Sequence, residues 1–285
     1  MLSKEKTMRK ISSKKKAFTL IELLVVISII ALLLSILMPG LQLAKAKAKN
    51  LLCATNLKGI VTAWHMYSGD NGEKLMSAET RYSPAGVQDI PYWVWGPTDV
   101  ETGAQVDASN PDSYDPTQAE REEGLKRGVI WPYLESVDVF HCQSDKSKGG
   151  NFRSYSMPDS MNGSGWVFKD AYTIYKGQGE IVNPVGRIVL LEESDPRGCN
   201  WGSYVMDPRE DKWNDPMTVW HGGSSAFAFA DGHAEIKKWD QETVEIFTDV
   251  DPRTGIRKSD GTPTTDGGIE DVEWMHRGWS RAKNR

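Results

Sequence analysis

The chain is short of most features that announce an enzyme or a nucleic-acid binder. Only three of its 285 residues are cysteine, Cys53, Cys142 and Cys199, with neither Cys-x-x-Cys nor His-x-x-x-His spacing, so no ready-made zinc motif is present. It has no Gly-x-x-x-x-Gly-Lys-Ser/Thr loop, no Gly-x-Gly-x-x-Gly loop and no Gly-x-Ser-x-Gly elbow, which removes the usual sequence signs of nucleotide binding and of serine hydrolysis. Internal repeats of 20 to 50 residues are also missing. Positive charge is outweighed after the N-terminal quarter: residues 69–285 carry a net −14. A surface of that sign does not grip phosphate backbones or anionic lipid, so nucleic acid is not an expected partner.

What the chain does contain is one long apolar run. Residues 18–37 include only Thr19, Glu22, Ser28 and Ser35 as polar members. About 20 residues at 1.5 Å rise cross the roughly 30 Å hydrocarbon layer of a bilayer. Seven Lys or Arg against Glu5 precede the run, which holds that end in the cytoplasm. A secretory signal peptide is disfavoured, because Met38-Pro39-Gly40-Leu41 lacks a small-x-small cleavage site. A plain anchor helix leaves Glu22 unexplained, since a carboxylate in lipid needs a partner.

The stretch Lys14-Lys15-Lys16-Ala17-Phe18-Thr19-Leu20-Ile21-Glu22-Leu23-Leu24-Val25-Val26 resembles the N-terminus of type IV prepilins and type II secretion pseudopilins. The resemblance implies cleavage between Ala17 and Phe18 by a prepilin peptidase, with Ala17 in place of the usual Gly, and N-methylation of Phe18. Glu22 becomes the fifth residue of the mature chain. There it meets the N-terminal ammonium of a neighbouring subunit, an arrangement that also answers the physical problem of a carboxylate in lipid. Pro39 falls where many pilin helices kink or locally melt; a helix end at Pro39-Gly40 is the alternative. The implied partners are the peptidase, other pilin or pseudopilin subunits, the inner-membrane assembly platform with its ATPase, and the bilayer.

Beyond Pro39, Leu41, Ala44, Ala48, Leu51, Leu52, Thr55, Ile60, Trp64 and Tyr67 recur at mostly helical spacing. They predict an amphipathic continuation to about residue 67, ended by Ser68-Gly69-Asp70-Asn71-Gly72. A further helix is predicted at 116–127, with Asp115 as cap and Gly128 as terminator. Strands are predicted at 187–193 and 225–239, the latter folded at Asp231-Gly232 into a hairpin with a two-residue type I′ turn. Residues 97–120 and 249–270 read as long loops. The expected fold class is α+β, a long N-terminal transmembrane and stem helix packed on an antiparallel β-sheet head, as in pilins. The expected parts are a basic leader at 1–17, a spanning half-helix at 18–38, an amphipathic half at 39–68 and an extracytoplasmic head at 69–285.

A second resemblance lies near the C-terminus. His221, nine residues and then Asp231-Gly232 match the H-x9-DG signature of a large group of bacterial prepilin-like proteins. Cys53-Ala-Thr-Asn-Leu-Lys-Gly-Ile and Phe140-His-Cys-Gln-Ser-Asp resemble further segments of that group, Gln143 replacing a proline. That favours Cys53 with Cys142 if a disulfide forms; the residues alone leave all three pairings open. His221, Asp231 and His233 offer two imidazoles and a carboxylate, a set that suits a divalent metal, or else Asp231 and Gly232 form a turn and His221 is structural. Asp249 and Asp251 invite a calcium loop within 249–271, although Arg253 and Asp260 stand where an EF-hand needs a ligand and a glutamate. No other cofactor is expected. Cys142 with one of five histidines is a weak catalytic pair, and Tyr92-Trp93-Val94-Trp95 is either core or a platform for sugar rings.

These features imply a filament subunit in the inner membrane, with its N-terminus cytoplasmic and its head periplasmic, that passes into a pseudopilus or surface fibre and is not an enzyme. The alternative is a tethered binding or hydrolytic head that borrows a pilin-type leader.

Overall fold

A run dominated by leucine, isoleucine and valine, with no glycine before residue 40, favours a helix, and α1 spans Leu20–Asp70. The computed structural model describes residues 19–80, 90–106, 115–145, 153–164, 168, 170–194, 202–250 and 257–280, with Leu43 described by its backbone alone. The chain divides into two units, residues 1–46 and 47–285.

In the first unit α1 is exposed on every side, from Leu20 and Ile21 through Leu33 to Met38, and this stretch is long and apolar enough to cross a membrane. Its two internal hydroxyls are satisfied within the helix, Ser28 Oγ on the Leu24 carbonyl at 2.8 Å and Ser35 Oγ on that of Leu32 at 2.7 Å. Such back-bonding lets serine sit where no water is available. Pro39 lies inside α1. Neither the local melting nor the helix end considered for Pro39-Gly40 is found, because a single proline deletes only one hydrogen bond from a long helix.

In the second unit the remainder of α1 buries Cys53, Leu57, Ile60, Val61, Trp64 and Tyr67. Steps of three and four residues place these on one face. Leu51 and Leu52, counted in the expected stripe, are instead exposed at 66% and 38%. Leu51 precedes Cys53 by two residues, about 200° around the axis, so both cannot face the core.

That face of α1 packs on a sheet of four antiparallel strands in chain order, β1 (Tyr155–Ser156), β2 (Ile188–Glu192), β3 (Ser224–Phe229) and β4 (Ala234–Lys238). Alternation in β3 decides the layering. Ala226 and Ala228 join the cluster of Cys53, Leu57, Ile60 and Trp64, whereas Phe227 and Phe229 join Trp213, Trp239, Val272, Met275 and Trp279 on the other face. Small residues admit the α1 backbone; large rings fill the opposite side. A shift in register between Ile188 and Leu190 lets Val189 and Leu190 face α1 while Ile188 and Leu191 face away.

The second face is covered by α3 (Gln241–Thr248) and α4 (Asp266–Trp279). Neither was expected, and α4 begins inside the predicted 249–270 loop. Gly267, Gly268 and Gly278 hide its helical character, and its start is fixed by the Thr265 hydroxyl accepting from the Gly268 N–H at 3.2 Å. The predicted 116–127 helix is α2, Gln118–Lys126. Its cap is Thr117, in a reciprocal box with Glu120, and not Asp115, which pairs with Arg121 at 2.5 Å. The predicted strands are present, but their turn is not type I′. Phe229 N–H bonds to the His233 carbonyl and Gly232 N–H to that of Phe229, so Ala230, Asp231 and Gly232 form a three-residue link. Gly232 alone among them has positive φ, +91°, whereas type I′ needs two such residues. Of the Tyr92–Trp95 cluster, Tyr92, Trp93 and Val94 are buried and Trp95 is half-buried, so the four do not form an open platform for sugar rings.

Candidate functional site

Two places gather the residues singled out by the sequence. The first is the start of α1. Thr19 and Glu22 form a reciprocal capping box: Thr19 N–H and Oγ1–H donate to Glu22 Oε2 at 2.8 and 2.7 Å, and Glu22 N–H donates to Thr19 Oγ1 at 3.2 Å. Glu22 therefore has a local partner that sequence reasoning missed, although Thr-x-x-Glu before an apolar run is its signature. The side chain remains exposed. Ala17 and Phe18 lie outside the described residues, as does Cys199.

The second place is a buried cluster between α1 and the sheet. Cys53 comes from α1, Cys142 from the segment after the short 3-10 turn at Asp138–Phe140, Glu192 from the end of β2 and His221 from the approach to β3. The Cys142 N–H bonds to Ser154 Oγ at 2.9 Å, and the Ser154 N–H to the Phe140 carbonyl at 2.8 Å, which presses Cys142 inward. The sulfurs of Cys53 and Cys142 stand 2.8 Å apart as free thiols. His221 Nε2 lies 2.7 Å from Glu192 Oε1 and 3.6 Å from Cys142 Sγ. Glu192 Oε2 accepts from the Ala226 N–H at 2.9 Å, and Cys142 Sγ from the Ser144 N–H at 3.4 Å.

Electrostatics follow from this packing. The hydrogen bond to Cys142 pulls Cys53 down to about 5 against the effect of burial, and Cys142 moves upward in response. Burial works against a charged His221, but its bonds to Cys53 and Glu192 outweigh that and raise it to about 9. Burial raises Glu192 despite the opposing pull of His221 and of the Ala226 N–H.

The expected trio of His221, Asp231 and His233 is not assembled. His221 precedes β3, whereas Asp231 and His233 follow it, so they lie at opposite ends of the strand. Asp231 Oδ1 meets His233 Nδ1 at 2.5 Å, and the His233 ring stacks on Phe229 with centroids 4.4 Å apart. Gly232 turns beside His65 of α1, whose Nε2 would be 3.7 Å from an added Cβ. In the acidic segment Asp249 pairs with Lys258 at 2.5 Å and Asp260 with Thr262; Asp251 and Arg253 lie outside the described residues. Glu192 escaped notice in the sequence, yet a carboxylate closing the apolar run Ile188–Leu191 is a visible signal.

Residues 12–38 match the family model of the prokaryotic N-terminal methylation motif. The chain is also similar to the type IV wide pilus major component PilA4 of Thermus thermophilus, 38% identical over 78 residues, which is 25% of this chain and 60% of that protein. The chain thus spans somewhat less than two thirds of the curated relative it matches. No solved structure matches it. The chain carries a prepilin-type N-terminal methylation motif, is similar to a type IV pilin, and has a pilin-like α+β architecture of a long apolar N-terminal helix followed by a four-stranded antiparallel sheet.

Proposed function

We propose that this protein is a pilin-like filament subunit, cut between Ala17 and Phe18, N-methylated at Phe18, and assembled through α1 into a type IV pilus-like fibre or a type II secretion pseudopilus. The reading rests on one observation: a methylation motif at residues 12–38 runs into a fully exposed apolar helix whose single charge up to residue 44 is Glu22. A helix greasy on all sides is stable in lipid or among its own kind, and not in water. The basic leader keeps the N-terminus cytoplasmic, where a prepilin peptidase works, and the acidic head lies across the membrane. In the fibre, Glu22 accepts the methylated ammonium of the adjacent subunit, so its charge is neutralised where lipid cannot hydrate it. The work is mechanical and needs no catalytic group in the head.

Mass spectrometry of the N-terminal peptide from native membranes tests the reading. A chain beginning at a methylated Phe18 supports it; a chain beginning upstream of Lys14 in cells that hold the peptidase overturns it. Glu22→Leu then separates assembly from tethering. Normal processing with loss from sheared fibres supports the subunit role, and undiminished incorporation overturns it.

A further inference from the structure

We propose that Cys53, Cys142, Glu192 and His221 form a zinc site that fastens the α1 residues of the head to its sheet. The proposal is independent of how the N-terminus is processed. Four donor atoms, Sγ of each cysteine, His221 Nε2 and a Glu192 carboxylate oxygen, lie within 4.8 Å of one another, and all four residues are buried. Four ligands of this kind, two thiolates, an imidazole and a carboxylate, suit a borderline-soft ion that takes tetrahedral geometry. With zinc–sulfur bonds of about 2.3 Å and zinc–nitrogen or –oxygen bonds of about 2.0–2.1 Å, the edges of such a tetrahedron are about 3.3–3.8 Å. The Cys142 Sγ to His221 Nε2 distance of 3.6 Å already falls in that range. The sulfur–sulfur pair and the His221–Glu192 pair, at 2.8 and 2.7 Å, would open by about 1 Å or less.

The surroundings favour an ion over a simple disulfide. A disulfide would use only the two sulfurs, whereas an ion would also take up the imidazole and the carboxylate that stand beside them with no exposure to water. Glu192 spends Oε2 on the Ala226 N–H and turns Oε1 into the cluster. The Ser144 N–H points at Cys142 Sγ. These two backbone donors are the outer contacts that steady a thiolate and a carboxylate on a cation. The Tyr155 hydroxyl is fully buried and lies against Cys53, whose charged form it favours, so it adds a further dipole beside the sulfur. Binding as two thiolates, a neutral imidazole and a carboxylate displaces whatever protons the two sulfurs and the His221–Glu192 pair carry, so occupancy falls in acid.

The test uses the full chain extracted from its membranes in detergent, without chelator, and measured for metal by mass spectrometry and X-ray absorption. About one zinc per chain, with two sulfur neighbours near 2.3 Å and two lighter ones near 2.0–2.1 Å, is the expected result. Cys142→Ser and His221→Ala should each lose at least tenfold in zinc affinity, whereas Asp231→Ala keeps about one zinc. Absence of zinc from native protein that also fails to take up added zinc chloride under reducing conditions overturns the proposal. So does a native peptide map in which Cys53 and Cys142 are cross-linked. Both of these outcomes are read on the unaltered chain, so a variant that fails to fold does not obscure them.

Discussion

His221 Nε2 and Glu192 Oε1 meet at 2.7 Å with neither side chain exposed to water. Each group lowers the cost of burying the other. Glu192→Leu and His221→Leu alone should each cost about 3–5 kcal/mol, because each strands a buried polar partner, while the double substitution recovers part of the loss. Urea unfolding of the four proteins in the presence of EDTA, which removes any contribution from a bound ion, checks the sign of the coupling.

At the start of α1, Thr19→Ala and Glu22→Leu both break the capping box. If Glu22 served only as a cap, both would harm fibre assembly alike, each by about 1 kcal/mol of helix stability. The filament reading predicts otherwise: Thr19→Ala fibres form at near-normal yield, while Glu22→Leu fibres do not. Fibre yield after shearing distinguishes the two.

Gly124 in α2 and Gly59 in α1 should respond to alanine with opposite signs. Helix propensity alone favours alanine by about 1 kcal/mol. An added Cβ at Gly59 meets nothing within 4 Å, so Gly59→Ala gains stability. At Gly124 it would stand 2.2 Å from the Gly96 carbonyl oxygen, part of the backbone, so Gly124→Ala should lose about 1–3 kcal/mol. Thermal melting of the two variants decides.

Glu242 ties α3 to the segment before α4. Its carboxylate accepts from the hydroxyls of Thr264 and Thr265 at 2.6 Å each and from their N–H groups at 2.8 Å each. Those bonds, the Thr264 hydroxyl foremost, lower it from 4.5 to about 2. A folded-state value below the unfolded one means that the contribution is complete above pH 4.5 and disappears as pH falls toward 2. Wild-type stability should therefore fall across that window more steeply than that of Glu242→Gln, as acid unfolding curves would reveal.

The outer parts of the fold were legible because their signals are local. The apolar run from Leu20, the apolar strand Ile188–Leu191 and the segments flanking Asp231-Gly232 each carry a period or a turn residue that needs no tertiary knowledge. What was hidden depends on partners distant in sequence. Three glycines in α4 obscure a helix that only packing against Phe227 and Phe229 makes stable. The buried cluster draws its four residues from a stretch running from Cys53 to His221, and a carboxylate at the end of a strand gives no sign alone that a histidine 29 positions later will meet it. Proximity in sequence misled as well: Asp231 and His233 stand near His221 along the chain, but an intervening strand carries them away.

Methyl groups of Ala226 and Ala228 on one side and benzyl groups of Phe227 and Phe229 on the other make the length of the Ala230–Gly232 link a quantity that cannot drift. Deleting or adding one residue there rotates one strand of the hairpin by half a turn relative to its mate. The strand that turns is β4, because β3 is also held by β2, so Ala234 and Ile236 would leave the cluster of Trp64 and Leu57 and Glu235 and Lys237 would face it. The tip must therefore keep its count.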